Sequence, residues 1–153
     1  MKIMFNSHLP VTKTMAFEAV FEPGLRLDLR YKRSIIKNGI AAWMFVDDVL
    51  AGETYGIRPR DLGEEIEDVE KRDLDSIYCY STTILPKFQG RGLAKILKAY
   101  WLGMVAPIST VVGHSTSPGM VKINELFGAK HTVKHANWYG TRREAWFYRI
   151  QLS

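Results

Sequence analysis

Apolar positions along the chain follow two periods. In residues 92–104, Leu93, Ile96, Leu97, Tyr100, Trp101 and Met104 fall on one stripe, with Lys95 and Lys98 off it. That three-to-four spacing predicts an amphipathic helix. Residues 76–85 are rich in β-branched and aromatic types and end at Pro86, which predicts a strand. Residues 40–46 form an unbroken apolar strand, Asp47-Asp48 a turn, and residues 49–56 the returning partner. A strand is expected at 110–114, then a helix opened by Ser117-Pro118 and stopped by Gly128. Residues 130–138 and 145–152 read as two closing strands.

Earlier in the chain, residues 12–21 read as a short helix capped by Thr12 or Thr14. Residues 25–37 carry a strand-like alternation and also a helix-ending Lys37-Asn38-Gly39, and are read as a helix. Residues 64–72, inside a stretch broken by Pro59 and Gly63, are expected to form a short exposed helix. The order is strand, helices, hairpin, strand, helix, strand, helix, two strands: an α/β (α+β) domain with a mixed sheet.

The length of 153 residues suits one domain with a single core. With 46% hydrophobic residues the chain is globular rather than disordered. Its longest strictly apolar run, Ile40–Val46, is far too short to span a membrane. No apolar stretch near Met1 resembles a secretory signal, so a cytoplasmic protein without membrane attachment is expected. The one cysteine, Cys79, has no internal partner and speaks against a structural zinc site. Charge is uneven: residues 57–75 carry four Lys/Arg against eight Asp/Glu, and residues 76–153 carry ten against two. A basic half of this kind suits an anionic partner, whether nucleic acid, a membrane surface or a phosphorylated ligand.

Between the strand at 76–85 and the helix at 92–104 stands Leu85-Pro86-Lys87-Phe88-Gln89-Gly90-Arg91-Gly92-Leu93-Ala94. A helix N-terminus offers unpaired N–H groups and a partial positive charge. Glycines there let backbone approach an anion closely, and Lys87, Arg91 and Lys95 add charge-assisted bonds. The segment reads as a pyrophosphate cradle. It is neither a Walker-type loop nor a Gly-x-Gly-x-x-Gly fingerprint.

The pattern Gln89-x-x-Gly92-x-Ala94, preceded by Ile84-Leu85-Pro86-Lys87-Phe88, resembles the GNAT family of acyl-CoA-dependent N-acetyltransferases. The resemblance runs from about residue 40 to 150. It implies a single GNAT-like acetyltransferase domain over residues 1–153, with six or seven strands and about four helices. It implies acetyl-CoA as acyl donor, with no metal, and a primary amine that attacks directly in a ternary complex. The cofactor-binding residues it implies are Ile84, Leu85, Gln89, Gly90, Arg91, Gly92, Leu93, Ala94 and Ser117, with an N–H near Ile84 or Leu85 as oxyanion donor. A homodimer is compatible with it. An amine of ordinary pKa must lose a proton, which at neutral pH costs roughly 4 kcal/mol, so a base is needed.

Where the family often has strand carboxylates this chain has Tyr78 and Tyr80. Asn124 stands where a general-acid tyrosine is frequent, and Ser117 where an asparagine is. Tyr80, Tyr78 and Glu53 are the catalytic candidates, each with a packing role as its competitor. His114 can titrate near neutrality, Cys79 reads as a buried small hydrophobe, and His131 with His135 favours surface or packing roles over metal. Trp138 and Tyr139 suggest a binding loop or core. The acidic segment, with Glu64, Glu65 and Glu67, favours a cationic acceptor. The competing expectation is a degenerate acyl-CoA- or nucleic-acid-binding module on the same fold.

Overall fold

Asp47 and Asp48 both take positive φ, 47° and 67°, the conformation of a two-residue type I′ turn. Across it β2 (Ile40–Val46) pairs antiparallel with β3 (Val49–Ile57). In the computed structural model, which describes residues 1–108 and 110–152, this hairpin sits inside a seven-stranded sheet. The remaining strands are β1 (Ile3–Asn6), β4 (Ile77–Ile84), β5 (Thr110–Ser115), β6 (Lys130–His135) and β7 (Ala145–Gln151). Their order is β1-β2-β3-β4-β5-β7-β6, and only β4 and β5 run parallel. Five α-helical segments accompany the sheet: α1 (Met15–Glu18), α2 (Leu29–Asn38), α3 (Pro59–Leu62), α4 (Leu93–Val105) and α5 (Pro118–Leu126). No helix is long and apolar enough to cross a membrane, among the described residues.

The hairpin, the later strands, α4 and α5 lie where the apolar periodicity puts them, within one to three residues at each end. Other expectations need correction. Residues 64–70 form no helix. Ile66 and Val69 instead pack against Tyr78, Val112 and Phe147, and Asp68 adopts φ 65°, so tertiary contacts override local helix propensity. Neither Thr12 nor Thr14 caps a helix with its side chain; Thr14 Oγ1 donates to Val11 O at 2.7 Å. On α2 the cap is Asp28, whose Oδ1 accepts from Tyr31 N at 2.8 Å. The stripe on α4 is rotated from its expected setting: Ile96 and Tyr100 are 39% and 41% exposed, whereas Lys98 is fully buried.

Two cores lie on opposite faces of the sheet. Leu93, Leu97, Trp101 and Val105 of α4 cover one face, against Ala42, Met44, Ala51 and Ile84. Phe17 and Ile35, from the α1–α2 region, cover the other with Trp43, Tyr55 and Ile57. This second core encloses an ion cluster. Lys32 Nζ lies 2.9 Å from Glu53 Oε2, 3.1 Å from Glu18 Oε1 and 3.0 Å from Thr14 O. Trp43 Nε1 donates to Glu53 Oε1 at 3.0 Å, and Leu27 N donates to Glu18 Oε2 at 2.9 Å. One ammonium thus joins α1, α2 and β3.

Removing that ammonium leaves two buried carboxylates without a counter-charge. Lys32→Met is expected to cost about 3–5 kcal/mol of stability. Urea unfolding of the variant should show a lower midpoint with an unchanged slope; an unaltered midpoint would refute the role assigned to the cluster.

Candidate functional site

The parallel strands β4 and β5 pair only at Ile77–Val111, Tyr78–Val112 and Cys79–Gly113. Beyond that point β5 stays on β7 through Ser115, while β4 stays on β3 through Ile84. The strands part because β4 carries one extra residue: Tyr55 faces Ser81 and Gly56 faces Cys79, so Tyr80 forms a bulge. Gly56 makes the close approach possible, since a Cβ there would lie 2.5 Å from Tyr78 O. The parting opens a cleft of about 320 Å³. Leu27, Tyr31, Tyr80 and Glu64 line one part of it; Cys79, Thr82, Lys98, Asn124 and Tyr148 line another.

The free edge of β4 leads to the segment before α4. A turn at Pro86–Phe88 is closed by Phe88 N donating to Leu85 O and Gln89 N to Pro86 O. Gln89 Nε2 donates to Ile84 O at 2.9 Å, fastening the loop to the strand end. Gly90 and Gly92 take φ 79° and 74°, and an added Cβ at either would meet nothing within 4 Å. The start of α4 has no side-chain cap, which leaves first-turn N–H groups available to an anion. Lys87 and Arg91 lie over the Phe88 ring at 5.1 and 5.9 Å. An uncapped helix start, two left-handed glycines, open space before them and two flanking cations fit a pyrophosphate. These backbone groups would hold coenzyme A.

Two hydrogen-bond chains leave the cleft through the tyrosines of β4. Tyr78 Oη is 2.7 Å from His114 Nδ1, and His114 Nε2 is 2.8 Å from Asp68 Oδ2. The carboxylate requires a proton on Nε2, so Nδ1 accepts from the Tyr78 hydroxyl. Burial, opposed by Asp68, pushes His114 down to about 4, so the imidazole is neutral at pH 7. Burial also holds the Tyr78 hydroxyl well above the usual phenol range. For Asp68 burial acts upward, but hydrogen bonds from His114 and His135 outweigh it and hold the carboxyl below its ordinary value. In the second chain Tyr80 Oη lies 3.1 Å from Tyr31 Oη, which donates to Glu64 Oε2 at 3.1 Å. Burial, then the bond to Tyr31, raises Tyr80.

Asp68, His114 and His135 are the set whose ligand atoms gather within 4.8 Å, among the described residues. They are the place a metal would be held, although the 2.8 and 2.6 Å contacts of the two Nε2 atoms with Asp68 Oδ2 are hydrogen-bond lengths. Trp138 packs on both imidazoles, at 4.3 and 5.0 Å, and Tyr139 joins the cleft wall.

Other sequence candidates have different tasks. Glu53 does not line the cleft; its carboxylate is committed to Lys32 and Trp43 at no solvent exposure. Its role as base is corrected to a core ion pair. Leu85 N donates to Ala51 O at 2.9 Å, so it is no open oxyanion donor. Leu93 is core, with Ala94 packed beside it, and their contribution to the cradle is confined to backbone. Ser117 Oγ caps α5 by accepting from Met120 N at 3.2 Å. His131 Nε2 meets Ser115 Oγ at 2.9 Å, beside Asn124 Nδ2 on the same oxygen at 2.8 Å. Of the acidic trio, Glu64 and Glu65 line the cleft and Glu67 does not.

Three participants escaped the sequence reading. Tyr31 gave no signal beyond an aromatic on α2. Asp68 lay hidden in an acidic run. Lys98 was detectable, being one turn beyond Ala94 and three residues before the core Trp101.

No protein-family model matches the chain, and no curated protein matches it. Solved structures do. The ribosomal-protein-S18-alanine N-acetyltransferase from Escherichia coli superposes with TM-score 0.75 at 12% identity, covering 99% of this chain and 95% of its own. Arabidopsis thaliana NAA60 in complex with acetyl-CoA gives 0.76 at 13% identity over 99% of each chain. Arabidopsis thaliana Naa50 in complex with the bisubstrate analogue CoA-Ac-MVNAL gives 0.72 at 15% identity, again over 99% of each. The chain has the GNAT fold along its whole length.

The neutral imidazole makes stability pH-dependent. His114 titrates at about 4 folded against an ordinary value near 6.5, so the unfolded chain takes up a proton first. Stability should therefore fall by up to about 3 kcal/mol between pH 6.5 and 4. Below about 4 the depressed carboxyls of Asp68 and of Asp73, which is paired with Arg149 at 2.9 and 2.8 Å, add further loss. Urea unfolding at pH 7, 5.5 and 4 measures this, and His114→Gln should flatten the upper part of the curve. An equal slope in both proteins would contradict the buried neutral state.

Proposed function

We propose that residues 1–153 form one N-acetyltransferase domain that transfers an acetyl group from acetyl-CoA to a primary amine. The observation that carries this reading is the cleft at the parting of β4 and β5, walled by tyrosines wired to carboxylates, with an uncapped glycine loop at the end of β4. When bound, acetyl-CoA supplies an activated acyl group. Everything else is done by the chain.

The backbone of residues 89–94 fixes the pyrophosphate, and the unpaired edge of β4 offers peptide groups to the arm that follows. Tyr78 accepts a proton from the attacking amine as it passes its own to His114 Nδ1, and Asp68 steadies the imidazolium while it lasts, burial returning the ring to its neutral form. Tyr80 and Tyr31 orient the amine and offer a second exit toward Glu64. Direct attack needs no covalent enzyme intermediate. Glu64 and Glu65 on the wall, with Tyr31, Tyr80, Trp138 and Tyr139, suit a cationic amine through charge and ring faces. Peptide N-terminal amines belong in the test, since one structural neighbour is bound to a CoA–peptide analogue.

Titration calorimetry of acetyl-CoA with the purified protein tests the donor half. Micromolar binding is expected, with Gly92→Glu weakening it at least about 100-fold by placing a side chain and a like charge in the cradle. Undiminished binding by that variant would refute the cradle. Thiol release in the presence of an amine and peptide panel tests transfer: Tyr78→Phe should lower kcat by about 10²-fold or more, and Glu64→Gln should raise the acceptor KM. A folded protein that binds no acetyl-CoA would overturn the reading.

A further inference from the structure

The chain has two fully buried lysines with opposite surroundings. Lys32 is held by two carboxylates. Lys98, equally without solvent exposure, has no carboxylate within ion-pair distance among the described residues. Its Nζ donates to Cys79 Sγ at 3.2 Å and to Tyr148 Oη at 3.1 Å, and lies over the Trp101 and Tyr148 rings at 5.3 and 5.4 Å. None of these partners is a carboxylate. A buried cation is stable in such surroundings only when something supplies the missing negative charge.

That something has a place to sit. Lys98, Cys79 and Tyr148 all line the cleft. Cys79 and Gly113 are the last paired residues before the strands part. Gly113 is required there because a Cβ would stand 2.6 Å from Tyr148 Oη, so the sheet is built to admit the hydroxyl that holds Lys98. An independent sign of a ligand stands on the same cleft. Asn124 is 1% exposed, donates through Nδ2 to Ser115, and leaves Oδ1 without a partner. The third N–H of Lys98, beyond those given to Cys79 and Tyr148, and the unpaired Oδ1 of Asn124 are a donor and an acceptor on the lining of one cleft, and together describe a bound molecule that meets both.

We infer that Lys98 is the cation that receives the sulfur of coenzyme A as a thiolate when the thioester breaks. This rests on the acetyltransferase reading above and assigns the leaving-group side of that reaction. The amine nitrogen forms the new C–N bond, the C–S bond breaks with its electron pair going to sulfur, and the Lys98 ammonium pairs with that sulfur. The proton lost by the amine leaves by the Tyr78 side, and the thiolate regains one when it is released to solvent. Asn124 Oδ1 accepts an amide N–H of the pantetheine arm. The edge of β4 from Tyr80 to Ile84 spans about 13 Å, linking Lys98 at the apex to the cradle at its far end.

The test reads protons rather than turnover. Coenzyme A has a thiol that is mostly protonated at pH 7, by analogy with the cysteine value near 8.5. If Lys98 binds it as a thiolate, complex formation at pH 7 releases about one proton per molecule, measured by calorimetry in two buffers of different ionisation enthalpy. Desulfo-coenzyme A should bind with no release. Lys98→Met should still bind coenzyme A through the cradle, but without proton release and with the preference for coenzyme A over the desulfo analogue reduced about tenfold. The wild-type measurement stands by itself if the variant does not fold. Coenzyme A binding without proton release overturns the assignment of Lys98 and leaves the acetyltransferase reading intact. No binding of coenzyme A by the folded wild type overturns both.

Discussion

The polar networks of the candidate site are arranged around the failure of two parallel strands to stay together. β4 and β5 share three residue pairs and then follow different neighbours. A parallel pair left open inside a sheet exposes ladder N–H and C=O groups that would ordinarily be paired, so the opening must be imposed. The bulge at Tyr80 bends β4 toward β3, and the full-length pairing of β5 with β7 holds the other side in place. At Gly56 and Gly113 a side chain would obstruct this geometry.

The cleft passes between two electrostatic environments. On the α1–α2 side, Lys32 is shared by Glu18 and Glu53 inside the core, and Glu18 accepts from the backbone N–H of Leu27 on the cleft wall. That cluster fixes the wall without offering a reactive group. The tyrosine chains do offer one, because each ends on a carboxylate of the 57–75 segment, Asp68 in one case and Glu64 in the other. Segment 57–75 is anchored in turn by Asp73, which takes both guanidinium contacts from Arg149 of β7. A loop that is acidic overall therefore has an ordered path, determined by which carboxylates find a cation or an imidazole.

Much of this was legible in the amino-acid order. The strands, the hairpin turn and α4 were readable because their apolar spacing agrees with their final environment. The loop before α4 was readable because Gly90 and Gly92 at a strand–helix junction favour positive φ, which both adopt. Tyr78 and Tyr80 were named from their place on β4, but their partners were not, since Tyr31, Asp68 and His114 come from three segments that only the folded sheet brings together. Glu53 was misassigned because alternation tells which face a residue points to and not what it meets there. The expected helix at 64–72 failed for the same reason: Ile66 and Val69 gain more from packing on Tyr78 and Phe147 than from local hydrogen bonds.

The uneven charge of the sequence acquires a physical meaning on this fold. Ten of the cationic side chains lie after residue 75. Among them Lys87 and Arg91 stand beside the glycine loop and Lys98 at the apex of the cleft. Glu64 and Glu65 of the 57–75 segment line the opposite wall. An amide-forming transfer needs this polarity, because the donor arrives carrying phosphates and departs as a thiolate, whereas the acceptor arrives with a proton to lose. A cation near the attacking amine would hinder its approach as an ammonium, and a carboxylate near the sulfur would oppose its departure. In the proposed transfer, placing the two signs on the two sides of one opening in the sheet would let a single cleft serve both partners.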